Sequence, residues 1–220
     1  MKKLNFKIIY GKLNAIVGPS GSGKSTILYL ISKLILPSKG QIEFDKINYT
    51  KFKNASLRNL ISYCPQETII FSNNVVEFVT YGSEKIDYSE ISKILKKTSC
   101  DEFINLENAD LKEINPENLS YGQKKRLDIC RILYSNKPII IFDEPTANLD
   151  EYNKKIINNL IVDLSRLNNK TIIIIEHQLK NLNQFDNIIV LNKGIIEASG
   201  DHEKLMNSND WYKDAFNLSP

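Results

Sequence analysis

Short, unbroken apolar runs alternate along this chain with longer stretches whose apolar residues recur at helical spacing. The runs "KLNAIVG" (12–18), "PIIIFDE" (138–144) and "TIIIIEH" (171–177) are dominated by branched aliphatic residues with almost no polar alternation. Such runs predict strands covered on both faces, as in a parallel sheet flanked by helices. "QIEFD" (41–45) predicts a short strand, and "LISYCPQ" (60–66) a strand ending in a loop. "NIIVLNKGIIEASG" (187–200) predicts a hairpin turning at Asn192 to Gly194. Helices are predicted for "KSTILYLISKLIL" (24–36), stopped by Pro37, and for 84–99, where Ile91, Ile94 and Leu95 share one face. Two more are predicted, for "SYGQKKRLDICRILYS" (120–135) with Ser120 as N-cap and for about 151 to 168. In the first of these, Leu127, Cys130 and Ile132 or Leu133 are available for an inward face. The pattern is that of an α/β fold without internal repeats.

Composition adds limits. A chain of 220 residues, 42% hydrophobic and 25% charged, fits one large domain or a core with a subdomain. The net charge of +3 is small and both signs are mixed along the chain, so no basic face for nucleic acid is expected. Cys64, Cys100 and Cys130 are too far apart for a CxxC pair or a metal spacing and read as reduced, structural thiols of a cytosolic protein. The longest apolar stretch, 27–36, is interrupted by Lys33 and is far shorter than the ~20 residues needed to span a bilayer. Any membrane part is expected on another polypeptide.

The chemistry gathers around "GPSGSGKST" (18–26), which matches the phosphate-loop pattern G-x-x-x-x-G-K-[ST] and lies between a predicted strand and a predicted helix. Glycines there let backbone N–H groups surround phosphates, and the helix N-terminus adds partial positive charge. Gly18, Ser20, Gly21, Ser22, Gly23, Lys24, Ser25 and Thr26 are the expected ATP-binding residues, with Lys24 bridging phosphates and Ser25 ligating Mg²⁺. The carboxylates of Asp143 and Glu144 end a buried strand, where ligands sit in open α/β sheets. Asp143 is expected in the Mg²⁺ shell and Glu144 on the attacking water. His177 ends the next apolar run beside the same site and is read as catalytic. Gln66 can reach Mg²⁺ or the water through its amide oxygen, whereas His202 is read as structural. Ser120 followed by Gly122 makes a second anion-binding helix terminus, useful if it faces a nucleotide held by another chain. Two copies arranged head to tail would then bury two ATP molecules between them.

Over essentially its whole length the sequence resembles the nucleotide-binding domain of ABC transporters. "GPSGSGKST" is similar to their Walker A motif, "YCPQ" to the Q-loop, "LSYGQ" (119–123) to the signature motif, "IIIFDEP" to Walker B, "ANLD" (147–150) to the D-loop and His177 to the switch histidine. The resemblance implies a P-loop NTPase fold with a mostly parallel sheet core and a truncated antiparallel β part, formed by 1–66 and 136–220. It also implies a helical signature subdomain over about 67–135. Lys24, Gln66, Glu144 and His177 would be catalytic, Ser25, Gln66 and Asp143 would hold Mg²⁺, and Ser120, Gly122 and Gln123 would contact the partner subunit's ATP. Asp150 would couple the two sites.

"FSNNVVEFVTYG" (71–82) and "DNIIVLNKGIIEASGDHEKLM" (186–206) resemble the exporter subtype, the first in the segment that contacts the membrane domain. The implied protein is a Mg²⁺-dependent, transport-coupled ATPase on the cytoplasmic face of the cell membrane. Its implied partners are a second ATPase subunit and a transmembrane domain, with no nucleic acid. Three features depart from the family: Tyr121 replaces the usual signature glycine, 111–118 matches poorly, and the chain starts too near Walker A to include the strand whose aromatic residue stacks on adenine. Phe6 and Tyr10 are the aromatic candidates near the start, and core packing for Phe6 and a turn for Tyr10 are the preferred readings. Base discrimination by this chain is therefore expected to be weak. Lys124, Lys125 and Arg126 are read mostly as a solvated basic face at the start of the signature helix.

Other classes fit less well. A soluble ABC ATPase of DNA repair or translation, the main alternative, would carry a long coiled coil between residues 26 and 119 or two cassettes in one chain. A small-molecule kinase would not need "LSYGQ" with the acidic pair, and a non-catalytic subunit would not need Lys24, Glu144 and His177 intact.

Overall fold

The structure is a computed structural model that describes residues 4–104, 115–176 and 179–218. The chain order is β1 (Leu13–Val17), α1 (Lys24–Ile31), β2 (Glu43–Phe44), β3 (Ile47–Asn48), α2 (Asn54–Leu60), β4 (Ile61–Cys64), α3 (Val75–Val79), α4 (Tyr88–Lys97) and α5 (Tyr121–Ser135). Then come β5 (Ile139–Asp143), α6 (Glu151–Asn168), β6 (Thr171–Ile175), β7 (Asn187–Asn192), β8 (Ile195–Gly200), α7 (His202–Ser208) and α8 (Asp210–Leu218).

Six strands form one sheet in the order β4-β5-β6-β1-β7-β8, parallel except for the β7–β8 hairpin. The apolar runs have the predicted cause. Successive residues of β1, β5 and β6 enter opposite layers: Ala15, Phe142 and Ile174 meet α6, while Ile16, Ile141 and Ile175 meet Ile27 and Leu28 of α1. Each of these isoleucine, leucine and phenylalanine side chains taken wholly out of water contributes about 1.5–3 kcal/mol. A separate apolar cluster joins α3 and α4 to α5 through Phe78, Ile91, Leu95 and Leu127. Leu127, Cys130 and Ile132 of α5 face inward as predicted. The β2–β3 pair forms its own small antiparallel sheet.

Several predicted boundaries shift. Helix α1 ends at Ile31, not at Ile35 or Leu36. Lys33 takes a left-handed φ of 55°, and Lys33 N and Leu34 N donate back to the carbonyls of Leu30 and Tyr29 in a Schellman-type stop. A lysine fills this glycine-favouring position because its Nζ donates to Phe52 O at 2.9 Å and lies over the Tyr49 ring. The predicted strand 41–45 shrinks to two residues, and α2 appears where the apolar pattern is too short to announce it. Helix α4 starts at Tyr88, where the Asp87 side chain accepts from Glu90 N, rather than near 84.

The basic run at the start of α5 is a clear correction. Lys125 is 0% and Arg126 4% exposed, so they form no solvated face. Lys125 Nζ donates to the carbonyls of Pro65 and Gln66 at 2.6 and 2.8 Å. Arg126 donates to Ser99 O and Glu102, and its guanidinium lies over Phe103. Near the start of the chain, Phe6 packs on the sheet and Tyr10 stands exposed in a turn, as expected. His202 is structural: its Nδ1 shares a hydrogen bond with Tyr212 and its ring packs on Phe216. The three cysteines are free and buried.

Candidate functional site

The phosphate loop spans the gap between β1 and α1. Gly18 marks where it leaves the sheet. Its φ is 152°, and a Cβ there would lie 1.9 Å from the carbonyl oxygen of Leu191 in β7, so only glycine lets the loop cross this close. The hairpin turn supports the loop from the other side, with Gly194 N donating to Ser22 O at 3.1 Å. The Ser22 hydroxyl is buried without a hydrogen-bond partner, the kind of atom a phosphate oxygen satisfies. Lys24 is buried at the start of α1, and its Nζ donates to Gly18 O and Pro19 O at 2.9 and 3.0 Å. Burial lowers its pKa, while the nearby charges of Glu144 and Asp143 act in the opposite sense.

The acidic pair stands at the end of β5. Asp143 is buried and accepts hydrogen bonds from Tyr63 at 2.9 Å and from Ser25. Burial raises its pKa and Glu144 adds to the rise, while both hydrogen bonds and the Lys125 charge oppose it. A serine hydroxyl meeting a carboxylate at a helix N-terminus is a hard-oxygen donor set of the kind that, with phosphates, holds Mg²⁺. Glu144 leaves the strand geometry. Its φ is 47°, a costly region for a residue with a Cβ, and its N–H bonds Ile175 O of β6 at 3.2 Å. This kink carries the carboxylate to the Q-loop, where Gln66 Nε2 donates to Glu144 Oε2 at 2.8 Å. The sequence expectation engaged the amide oxygen of Gln66; here its nitrogen is engaged, and the oxygen is the other half of the same group.

Lys24, Ser25, Gln66, Asp143 and Glu144 thus gather at the carboxyl ends of β1, β4 and β5. Ser20, Gly21, Gly23 and Thr26 lie in the same loop or the first turn of α1. His177 lies outside the described residues. The signature residues take another position. Ser120 caps α5 with a capping box: its Oγ accepts from Gln123 N at 3.2 Å, and Gln123 Oε1 accepts from Ser120 N at 2.9 Å. Ser120 is exposed, and its hydroxyl proton is not used in this box. Gly122 is buried against α6, where a Cβ would meet the Asn153 side chain at 2.6 Å. Asn153 in turn donates to Asp150 from its backbone and side chain, at 2.9 and 2.6 Å, which lowers the pKa of Asp150.

Sequence reasoning missed Tyr63, Lys125 and Asn153 as supports of this site. Tyr63 could have been found had the register been known, since it pairs with Ile141 and so shares a face with Asp143.

A profile described as ABC transporter matches residues 1–147. The chain belongs to the ABC transporter family. It is 38% identical over 214 residues, 95% of its length, to the lactococcin-G-processing and transport ATP-binding protein LagD of Lactococcus lactis. It is 34% identical over 223 residues, 99% of its length, to the mitochondrial iron-sulfur clusters transporter ATM1 of Candida albicans. It covers 30% of each of these two relatives. Among solved structures it matches a bacterial Atm1-family ABC exporter with ATP bound, with a TM-score of 0.87 and 29% identity over 97% of this chain and 38% of that one. This ABC chain is an ATP-binding and ATP-hydrolysing nucleotide-binding domain of the family, with the P-loop NTPase fold. The two relatives are named for transport and the solved neighbour for export.

Proposed function

We propose that this domain powers export, pairing with a second ATPase domain and a separate transmembrane part at the cytoplasmic face of a membrane. The carrying observation is the Gln66–Glu144 contact, which holds a kinked carboxylate beside the phosphate loop. In the proposed mechanism the N–H groups of 18–26 and Lys24 Nζ take the phosphates of ATP, with Lys24 exchanging its bonds to Gly18 and Pro19 for phosphate oxygens. Ser25 and Asp143 hold Mg²⁺, which neutralises charge on the phosphates when bound. Glu144 accepts the proton of the attacking water, and Gln66 orients that carboxylate. His177 is proposed to act on the γ-phosphate, a role that rests on the resemblance alone.

The second helix terminus supports sharing of sites. The Ser120 hydroxyl accepts from Gln123 N of its own helix, and the residue stands exposed on a helix N-terminus suited to an anion. A partner's nucleotide is the proposed occupant, with Gly122 and Gln123 shaping the turn and Asp150 linking the two sites. Docking to a transmembrane part is supported by exposed Phe71, whose ring packs on exposed Tyr81 at a groove of about 410 Å³ lined by Glu77, Tyr81, Gly82, Ile86 and Tyr88. Among the described residues no helix is long and apolar enough to cross a membrane. We also propose the division into a core of 1–66 and 136–220 and a helical part of about 67–135, which the separate apolar cluster of α3, α4 and α5 supports.

The test is Glu144→Gln. ATP binding, followed with a fluorescent analogue, stays within a few-fold, while turnover falls by ~10²–10⁴, the range for loss of a general base. Light scattering then finds an ATP-dependent dimer that persists. Normal hydrolysis by the variant removes Glu144 from this role.

A further inference from the structure

The residue after Ser120 turns toward its own chain. Tyr121 is half-buried, and its hydroxyl donates to the carbonyl oxygen of Gln66 at 2.6 Å. Lys125, one turn later on the same face of α5, donates to that same oxygen at 2.8 Å. The two donors together occupy both lone pairs of the Gln66 carbonyl. The side chain of this doubly held residue is the one that donates to Glu144 at 2.8 Å. A continuous path of three groups therefore runs from the first residue of α5 to the kinked carboxylate of the same chain.

We propose that Tyr121 is a positioning residue for its own chain's catalytic centre, fixing the Gln66 backbone so that the Gln66 amide holds Glu144. It acts in cis, while its neighbour Ser120 serves the partner's nucleotide in trans. One turn of α5 then attends to two ATP molecules. The inference rests on the proposed role of Glu144 and on shared sites.

Tyr121→Phe keeps the ring and removes only the hydroxyl, so folding is not at stake. In the homodimer, kcat falls about fivefold, the share of one hydrogen bond, with KM for ATP changed by less than about twofold. The decisive arms are mixed dimers with a Lys24→Ala chain, in which only one phosphate loop works. Tyr121→Phe on the chain with intact Lys24 lowers turnover about fivefold, and on the Lys24→Ala chain it leaves turnover within about twofold. Loss in the second arm, or equal loss in both, overturns the cis assignment, because a role in the signature surface acts on the partner's site. Hydrogen–deuterium exchange of the chain without nucleotide gives an independent readout. Amides of residues 66–70 exchange several-fold faster in Tyr121→Phe, and unchanged exchange there overturns the proposal even if one-site dimers prove inactive. Absence of ATP hydrolysis in the unsubstituted protein instead overturns the underlying functional reading.

Discussion

Two glycines of the phosphate loop show how much a single Cβ matters. At Gly18 a methyl group would meet backbone, the Leu191 carbonyl at 1.9 Å, and backbone in the middle of a sheet has no room to yield. At Gly21, whose φ is 74°, nothing lies within 4 Å. Gly18→Ala is expected to cost more than ~3 kcal/mol and to abolish nucleotide binding. Gly21→Ala carries only the left-handed strain of an alanine, about 1–2 kcal/mol. Thermal melts of both variants check this, and equal losses would mean that the β7 contact does not govern the loop. At this scale the sequence named the reacting groups but not their supports. Lys24, Asp143 and Glu144 were legible because a motif ties residue type to spacing. Tyr63 and Asn153 were not, because Tyr63 meets Asp143 across a strand register and Asn153 meets Gly122 across a helix crossing, neither of which the linear order contains.

Among elements, the strands were the most legible. β1, β5 and β6 are covered on both faces, so every position is apolar and the run itself is the signal. α5 was legible through its cap and inward face, but its charge was misread. A basic run suggests solvent, and nothing local indicates that two carbonyls of the Q-loop wait for Lys125. The end of α1 was hidden for a related reason, since Lys33 does what a glycine does only by virtue of contacts to Phe52 and Tyr49. Burial of Lys125 makes α5 and the loop after β4 one unit, and Lys125→Met tests it. The stem keeps its packing, but the Pro65 carbonyl loses its donor and that of Gln66 keeps only Tyr121. A loss of about 2 kcal/mol is expected, or roughly 4–8 °C in Tm for a chain of this size. Calorimetry that finds Lys125→Met as stable as the parent would place the lysine back among surface charges.

In the proposed dimer the N-termini of α1 and α5 serve different nucleotides. Lys24→Ala removes a chain's own phosphate grip, and Ser120→Arg blocks the surface it offers its partner. Each homodimer has two defective sites. A mixed dimer gathers both defects into one site and leaves the other whole, so mixing two inactive proteins is expected to restore part of the turnover. If mixed dimers form, as co-purification of differently tagged chains can verify, and activity stays absent while a dimer of one parent chain with one doubly substituted chain is active, the sites are not shared.

The strand that carries the phosphate loop has a timetable written into its pairing. β1 lies between β6 and β7, with Leu13 opposite Ile172 and Asn14 opposite Asn187. Gly18 rests on Leu191. A strand early in this sequence is thus completed by two strands that lie far downstream of it. At ~5–20 residues per second, roughly ten to thirty seconds of synthesis separate the loop from its two flanking strands. Throughout that interval the apolar run 13–17 has no sheet to join, and ATP has no formed loop to bind. The nascent chain is thereby kept from nucleotide until most of this sequence has emerged, and β1 depends for that time on whatever shields it at the ribosome.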